Sequence, residues 1–303
     1  MELVTCKLLI DANRQELIEH GSALFPCARY HCDFHEFYND EIPWHWHEEI
    51  EIMLVESGTM KLQLNSKTFE VKPGQGVFIN SNVLHSATIL DKTDCKISSF
   101  VFHTKLLSGS MEGLFRQRFI KPLTSCNSLF GIVFNGSEEW HNDVLISIQQ
   151  AFNAYDEGEY CYELLVREHL SHMWYLLMQK TKSNEDDKKL GYGQETLRIK
   201  EMLNFIHLHF GENISISQIA KSTNISEREC LRCFQKTIGC APIQYLLKYR
   251  ISIAAQLLNT TEVPIIKICD ETGFDSPSYF SKMFKRYMGS SPTNYRNGSN
   301  KMN

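Results

Sequence analysis

The stretch FQKTIGCAPIQY at residues 234–245 returns as FKRYMGSSPTNY at residues 284–295. Phe234 and Phe284, Gly239 and Gly289, Pro242 and Pro292, and Tyr245 and Tyr295 stay in register. Upstream the repeat continues with one residue inserted, so Ile216, Ile219, Ala220 and Asn224 correspond to Ile265, Ile268, Cys269 and Gly273. The chain therefore carries two copies of one helical unit, and each copy reads as a helix-turn-helix. In the first, Ser215 caps a short helix and Ala220 is small enough for a close helix crossing. Asn224 tolerates the left-handed turn conformation. Ser226 starts the next helix, with Glu229 three residues on as the partner of a capping box. In the second copy Gly273 makes the turn, Ser276 caps, and Pro277 takes the first helical position, where its missing N–H costs nothing.

Helical spacing sorts each second helix into two faces. Cys230, Cys233 and Phe234 fall on a core face, which favours small buried thiols over a metal pair. Arg228, Leu231 and Arg232 fall on the exposed face. In the second copy Tyr279, Phe280, Met283 and Phe284 supply the apolar contacts, while Ser278, Ser281 and Lys282 are exposed. An arginine here can offer two donors to guanine O6 and N7 in a major groove. Lys221, Lys236, Lys248, Lys285 and Arg286 are placed for phosphates, which position a protein on DNA without reading sequence.

With these residues in view, 197–296 resembles the DNA-binding domain of AraC/XylS-type transcription regulators, above all in GFDSPSYFSKMFK and GSSPTNYR. The resemblance implies seven helices, with 242–258 as the long connecting one. It assigns base reading to Arg228, Leu231, Arg232, Ser278, Ser281 and Lys282, and makes Arg250 an internal salt-bridge residue. Cys269 and Cys230 stand where the family more often has Ala and Leu.

Residues 44–104 read as a meander of short strands, IEIML, MKLQL, KTFEV and GVFIN, broken by Gly, Pro, Asn and Ser. His45 and His47 would share a strand face with Glu51, and His85 would join them from a later strand. Three imidazoles and a carboxylate suit Fe, Mn, Ni or Zn. The pattern resembles the cupin signature, although Asn82 and Leu84 depart from its second motif. The resemblance to AraC-type sensors implies a pocket for a small organic effector without a metal, lined by His45, His47, Glu51, His85 and Trp46. Trp44, Tyr38 and Phe78 are further aromatic candidates.

Residues 138–182 carry apolar positions at helical spacing on either side of Asp156-Glu157-Gly158 and read as an antiparallel helical hairpin. One stripe runs through Leu164, Leu165, His169, Met173 and Leu176; the hairpin would pack only on the barrel or also form a two-fold dimer seam, and the resemblance favours the dimer. The polar segment 183–196 reads as a linker. The expected plan is α+β and multidomain: a cupin-like β-barrel over 1–137, a hairpin over 138–182, a linker over 183–196, and an all-α double helix-turn-helix over 197–296.

Composition agrees. Hydrophobic residues are 43% and charged residues 22% of 303, ordinary for a globular chain. No apolar run approaches the roughly 20 residues of a membrane span. The start MELVTCKLLI does not read as a signal peptide. Ten irregularly spaced cysteines read as reduced thiols of a cytoplasmic protein. The net charge of −5 hides an asymmetry: 197–296 holds 13 Lys/Arg against 8 Asp/Glu, whereas 1–196 holds 17 against 28. A basic part beside an acidic one suits a sensor joined to a DNA reader.

The leading expectation is a regulator, with activation as the family habit, that senses a small molecule and binds promoter DNA as a homodimer. It would meet RNA polymerase if it activates, and it would be no enzyme. The competing readings are a cupin metalloenzyme with an accessory DNA-binding domain, and a DNA-binding protein whose barrel only dimerises.

Overall fold

The computed structural model describes residues 4–5, 15–16, 18–37, 40–90, 94–109, 113–126, 129–181 and 192–299. The chain divides into two compact units between Gln194 and Glu195.

The first unit is built on ten strands: β1 (Val4–Thr5), β2 (Cys27–Asp33), β3 (Glu41–His45), β4 (Ile50–Ser57), β5 (Met60–Leu64), β6 (Lys67–Val71), β7 (Gly76–Ile79), β8 (His85–Ile89), β9 (Lys96–Phe102) and β10 (Gly131–Phe134). They form a six-stranded sheet in the order β1-β2-β9-β4-β7-β10 and a four-stranded sheet in the order β3-β8-β5-β6. Chain alternation decides what each face does. On β4, Met53 and Val55 join Met60, Leu62, Leu64, Val77, Ile79 and Val101 in a core between the sheets. The intervening Ile50, Ile52 and Leu54 face outward, where Phe78, Phe100 and Phe102 also lie. Both faces of the large sheet are therefore covered, and each buried Ile or Phe side chain contributes about 1.5–3 kcal/mol.

The outer cover is the helical hairpin. Two short helices, α1 (Lys105–Ser108) and α2 (Lys121–Thr124), precede β10. Then α3 (Glu139–Glu157) ends at Gly158, which takes the left-handed conformation expected of a helix stop, and α4 (Tyr162–Thr181) returns. Val144, Ile148, Ala151 and Phe152 from α3 meet Val166, Leu170, Met173, Trp174 and Leu177 from α4 against the sheet. This corrects the expected stripe. Met173 is buried and Leu176 half-buried, but Leu164 and Leu165 are 65% and 44% exposed. The sheet selects the face centred one residue away from the one that hydrophobicity alone picks out.

Cys32 is disulfide-bonded, with a partner outside the described residues, which corrects the reading of every cysteine as a reduced thiol. Spacing along a chain does not report pairing across a sheet. Among the described residues the remaining cysteines are free. No described helix is long and apolar enough to cross a membrane.

The second unit is all helix: α5 (Tyr192–Leu208), α6 (Ile216–Lys221), α7 (Glu227–Thr237), α8 (Pro242–Thr260), α9 (Ile265–Glu271), α10 (Pro277–Met288) and α11 (Pro292–Ser299). Residues 192–196, expected as linker, are the first turn of α5, and 183–191 lie outside the described residues. The repeat survives as packing. Phe234 meets Tyr245 at 6.1 Å between ring centroids, and Phe284 meets Tyr295 at 5.4 Å. The extra residue of the second copy falls in its turn, between Gly273 at φ +76° and the N-cap Ser276.

Arg250 is internal, but not through a salt bridge. Its Nε donates to the Phe210 carbonyl at 2.7 Å and its Nη2 to the Glu212 carbonyl at 2.6 Å. The chain leaving α5 turns two carbonyls toward it, and one guanidinium meets both at once. A Cβ on Gly273 would come within 2.8 Å of that Nη2 and 2.7 Å of the Phe210 oxygen.

Candidate functional site

The capping pattern sets where the two exposed helix faces begin. Ser215 and Gln218 make the reciprocal box on α6, with Ser215 N–H donating to Gln218 Oε1 at 2.8 Å. At α7 the box expected between Ser226 and Glu229 is one-sided. The Ser226 hydroxyl accepts from Glu229 N–H at 3.2 Å, but the Glu229 carboxylate turns the other way. It takes Arg232, whose Nε donates to Oε2 at 3.0 Å and whose Nη2 donates to Oε1 at 2.6 Å. A charge-assisted two-point pair outbids a neutral backbone N–H for one carboxylate. Arg232 in turn holds the Glu229 carboxyl below its ordinary range.

The candidate base-reading residues lie where the faces were expected. Arg228, Leu231 and Arg232 on α7 and Ser278, Ser281 and Lys282 on α10 are all exposed. Their undersides are Cys230, Cys233 and Phe234 on α7, and Phe280, Met283 and Phe284 on α10. Tyr279 departs from expectation, since it is 45% exposed. Lys221, Lys248, Lys285 and Arg286 are exposed as well. Lys236 is not simply solvated, because its Nζ lies 2.6 Å from Glu195 Oε2 on α5. Glu195 stands in what reads as linker, so sequence gave no signal for it.

In the first unit, His45, His47, Glu51 and His85 converge, with one donor atom from each lying within 4.8 Å of the others. All are buried. They do not share a strand. His45 ends β3, directly opposite His85 at the start of β8. Glu51 is on β4 in the other sheet, and His47 sits in the connection between the sheets. Each imidazole is oriented by its Nδ1–H, which donates to a backbone carbonyl: Pro43 at 2.8 Å, Glu49 at 3.1 Å and Val83 at 2.8 Å for His45, His47 and His85. The Nε2 atoms of His47 and His85 then face Glu51 Oε2 at 3.3 and 3.2 Å. Burial, with the neighbouring His85 and His47, pushes His45 well below the ordinary imidazole range. Burial also works against charge on His47 and Glu51. Their mutual contact outweighs it, raising the imidazole and lowering the carboxyl.

A narrow pocket, with a cavity volume of about 40 Å³, opens beside this cluster. His45 and Glu51 reach its wall together with Glu16, His20 and Tyr30, and Ile42, Met53 and Val101 supply apolar surface. His20 Nδ1 pairs with the Tyr30 hydroxyl at 2.9 Å, and its Nε2 lies 3.4 Å from Glu16. Neither His20 nor Tyr30 carried a signal in the sequence. Of the aromatic candidates, Trp46 is half-buried and outside the pocket wall, Trp44 is buried away from it, and Phe78 packs under the helical hairpin. Tyr38 lies outside the described residues.

Residues 32–157 match the family described as AraC-like ligand binding domain, and residues 219–298 match a helix-turn-helix domain family. The chain is 30% identical to the HTH-type transcriptional regulator YdeC of Bacillus subtilis, over 95% of its own length and 97% of the relative's. This chain belongs to the AraC family of transcription regulators. Like its relatives, this AraC-family regulator joins a ligand-binding domain to a DNA-binding one. It is also 25% identical to the lactose operon transcription activator of Staphylococcus xylosus, over 61% of this chain and 65% of that one. Among solved structures, ToxT of Vibrio cholerae is similar over 89% of this chain and 96% of its own, at 17% identity and a TM-score of 0.38. The AdpA DNA-binding domain in complex with a target DNA is 30% identical over 33% of this chain and 91% of its own, with a TM-score of 0.33.

Proposed function

We propose that this AraC-family regulator senses a small organic molecule in the pocket beside His45 and Glu51. It reads promoter DNA with Arg228, Leu231 and Arg232 of α7 and with Ser278, Ser281 and Lys282 of α10. Lys221, Lys236, Lys248, Lys285 and Arg286 contact phosphates. The observation that carries the reading is the duplicated helix-turn-helix, whose two second helices expose polar or cationic side chains over buried aromatic ones. The regulator works in the cytoplasm as a homodimer, with no enzymatic step. The likeness to a named operon activator favours activation, and so contact with RNA polymerase. Effector binding shifts the placement of the DNA-binding units only if the effector prefers one arrangement over another. Selection of bound fragments from a random DNA pool, with and without candidate ligands, tests this. A defined motif whose enrichment depends on a ligand supports it, and recovery of unselected sequence contradicts it.

A second reading is favoured by the buried tetrad. With Nδ1–H committed to a carbonyl, His85 aims Nε2 at the Glu51 carboxylate, and that nitrogen is buried without a hydrogen-bond donor. Lone pair facing lone pair is repulsive unless a proton or a cation sits between. Three fixed imidazoles and one carboxylate fit a divalent transition metal such as Zn, Fe, Mn or Ni. His45, His47, Glu51 and His85 would hold it, and it would supply a Lewis-acid contact for an effector's oxygen or nitrogen donor. Metal analysis of the purified protein checks this. About one equivalent, lost in His47→Ala, is the expected result, and a metal-free protein that takes up none on titration contradicts it.

A further inference from the structure

Arg232 and Lys236 stand one helical turn apart on α7, and Glu195 from the first turn of α5 reaches both. Its Oε2 lies 2.6 Å from Lys236 Nζ, and its Oε1 lies 3.7 Å from Arg232 Nη2. The Glu195 side chain is only 16% exposed, whereas Arg232 is 57% exposed. Glu195 Oε1 is shielded from water and accepts no hydrogen bond. With Glu229 bound to Arg232 across its Nε edge, each of the two cations has a carboxylate partner.

We infer that Glu195 is an internal competitor for DNA, a carboxylate that a DNA phosphate must displace from Lys236. The inference rests on the proposed DNA contacts of Arg232 and Lys236. The two cations are affected differently. Lys236 meets any DNA through phosphate, and its exchange of Glu195 for a phosphate oxygen is nearly even. Counterion release from the DNA is offset by the cation that the freed carboxylate takes up. Arg232 keeps its outer edge, one N–H on each of Nη1 and Nη2, free of Glu229. That edge is the one able to meet guanine O6 and N7, so the guanine contact does not require Arg232 to leave Glu229. Glu195 therefore holds back the phosphate contribution of Lys236 on any DNA, selected or not, and leaves the guanine contact of Arg232 untouched.

The test uses the full-length protein, a duplex recovered by selection from a random pool, and a scrambled duplex of the same composition. Affinities are measured across a salt series. Glu195→Gln keeps the shape and an acceptor while removing the charge. It is expected to tighten binding to the scrambled and the selected duplex alike, by about two- to fivefold. The salt slope on scrambled DNA should steepen by about 0.9. Adding Lys236→Gln should return that slope to the parental value, a reversal that a merely structural role of Glu195 would not produce. An unchanged slope and unchanged affinities in Glu195→Gln, with Arg232→Ala still losing selectivity, overturns the inference alone. If Arg232→Ala and Lys236→Gln both leave DNA binding untouched, the proposed DNA contacts themselves fail.

Discussion

Arg232 shows most clearly what a single side chain decides. It is exposed and held flat by Glu229, so its outer donors are ordered before DNA arrives. Arg232→Ala is expected to weaken binding at a selected site by about 1–3 kcal/mol and to relax base choice at one position. Gel-shift titration checks this, and equal loss on selected and random DNA counts against it. At Gly273, φ is +76° and an added Cβ would press on the Phe210 carbonyl and the Arg250 guanidinium. Gly273→Ala should cost about 1–3 kcal/mol of stability, read by chemical denaturation, and an unchanged midpoint would contradict it. Arg250→Met should cost about 1–3 kcal/mol, because it strips donors from the carbonyls of Phe210 and Glu212. The exposed faces of α7 and α10 were legible because helical spacing is local. Arg250 was legible as internal but not in its partners, since backbone carbonyls leave no mark in a sequence. Glu195 was illegible because its role depends on α5 lying against α7.

At the scale of elements, the strands IEIML, MKLQL, KTFEV and GVFIN could be read from alternation and turn residues, and each became a strand. The strands CARYHCD and KISSFVF could not, for buried charge and hydroxyls interrupt their patterns. Arg29 is 4% exposed on β2, stacked 3.8 Å above the Phe152 ring and paired with Asp156 at 3.3 Å. The hairpin was legible as two helices, but not which face the sheet would take. The face left over carries Leu164, Leu165 and Tyr175 on α4 and Ile146 on α3, all exposed. If these form the dimer seam, Leu164→Asp with Leu165→Asp should shift the sedimenting species from dimer to monomer while leaving the melting temperature nearly unchanged. A parent that sediments as a monomer at every concentration rules the seam out. The tetrad was legible as a set because the spacing of His45, His47 and Glu51, with His85 further on, resembles the cupin signature. Its placement across two sheets was not, since a strand reading puts His47 on β3 when it lies beyond the strand's end.

At the scale of the whole molecule, the division of labour follows charge and core. An acidic unit with a largely apolar pocket is joined to a basic one with two exposed recognition faces. The copies within the basic unit are not equal. The first presents two arginines, and the second presents two serines and a lysine, so base choice should rest mainly on α7. Two recognition helices of one unit should enter major-groove segments about one turn apart, roughly 34 Å. The most direct test of the account is methylation interference with the full-length protein on a selected duplex. The account predicts interfering guanines in clusters one helical turn apart, with Arg232→Ala abolishing interference in only one cluster of each pair. A single cluster, or a pattern that Arg232→Ala leaves unchanged, would contradict it.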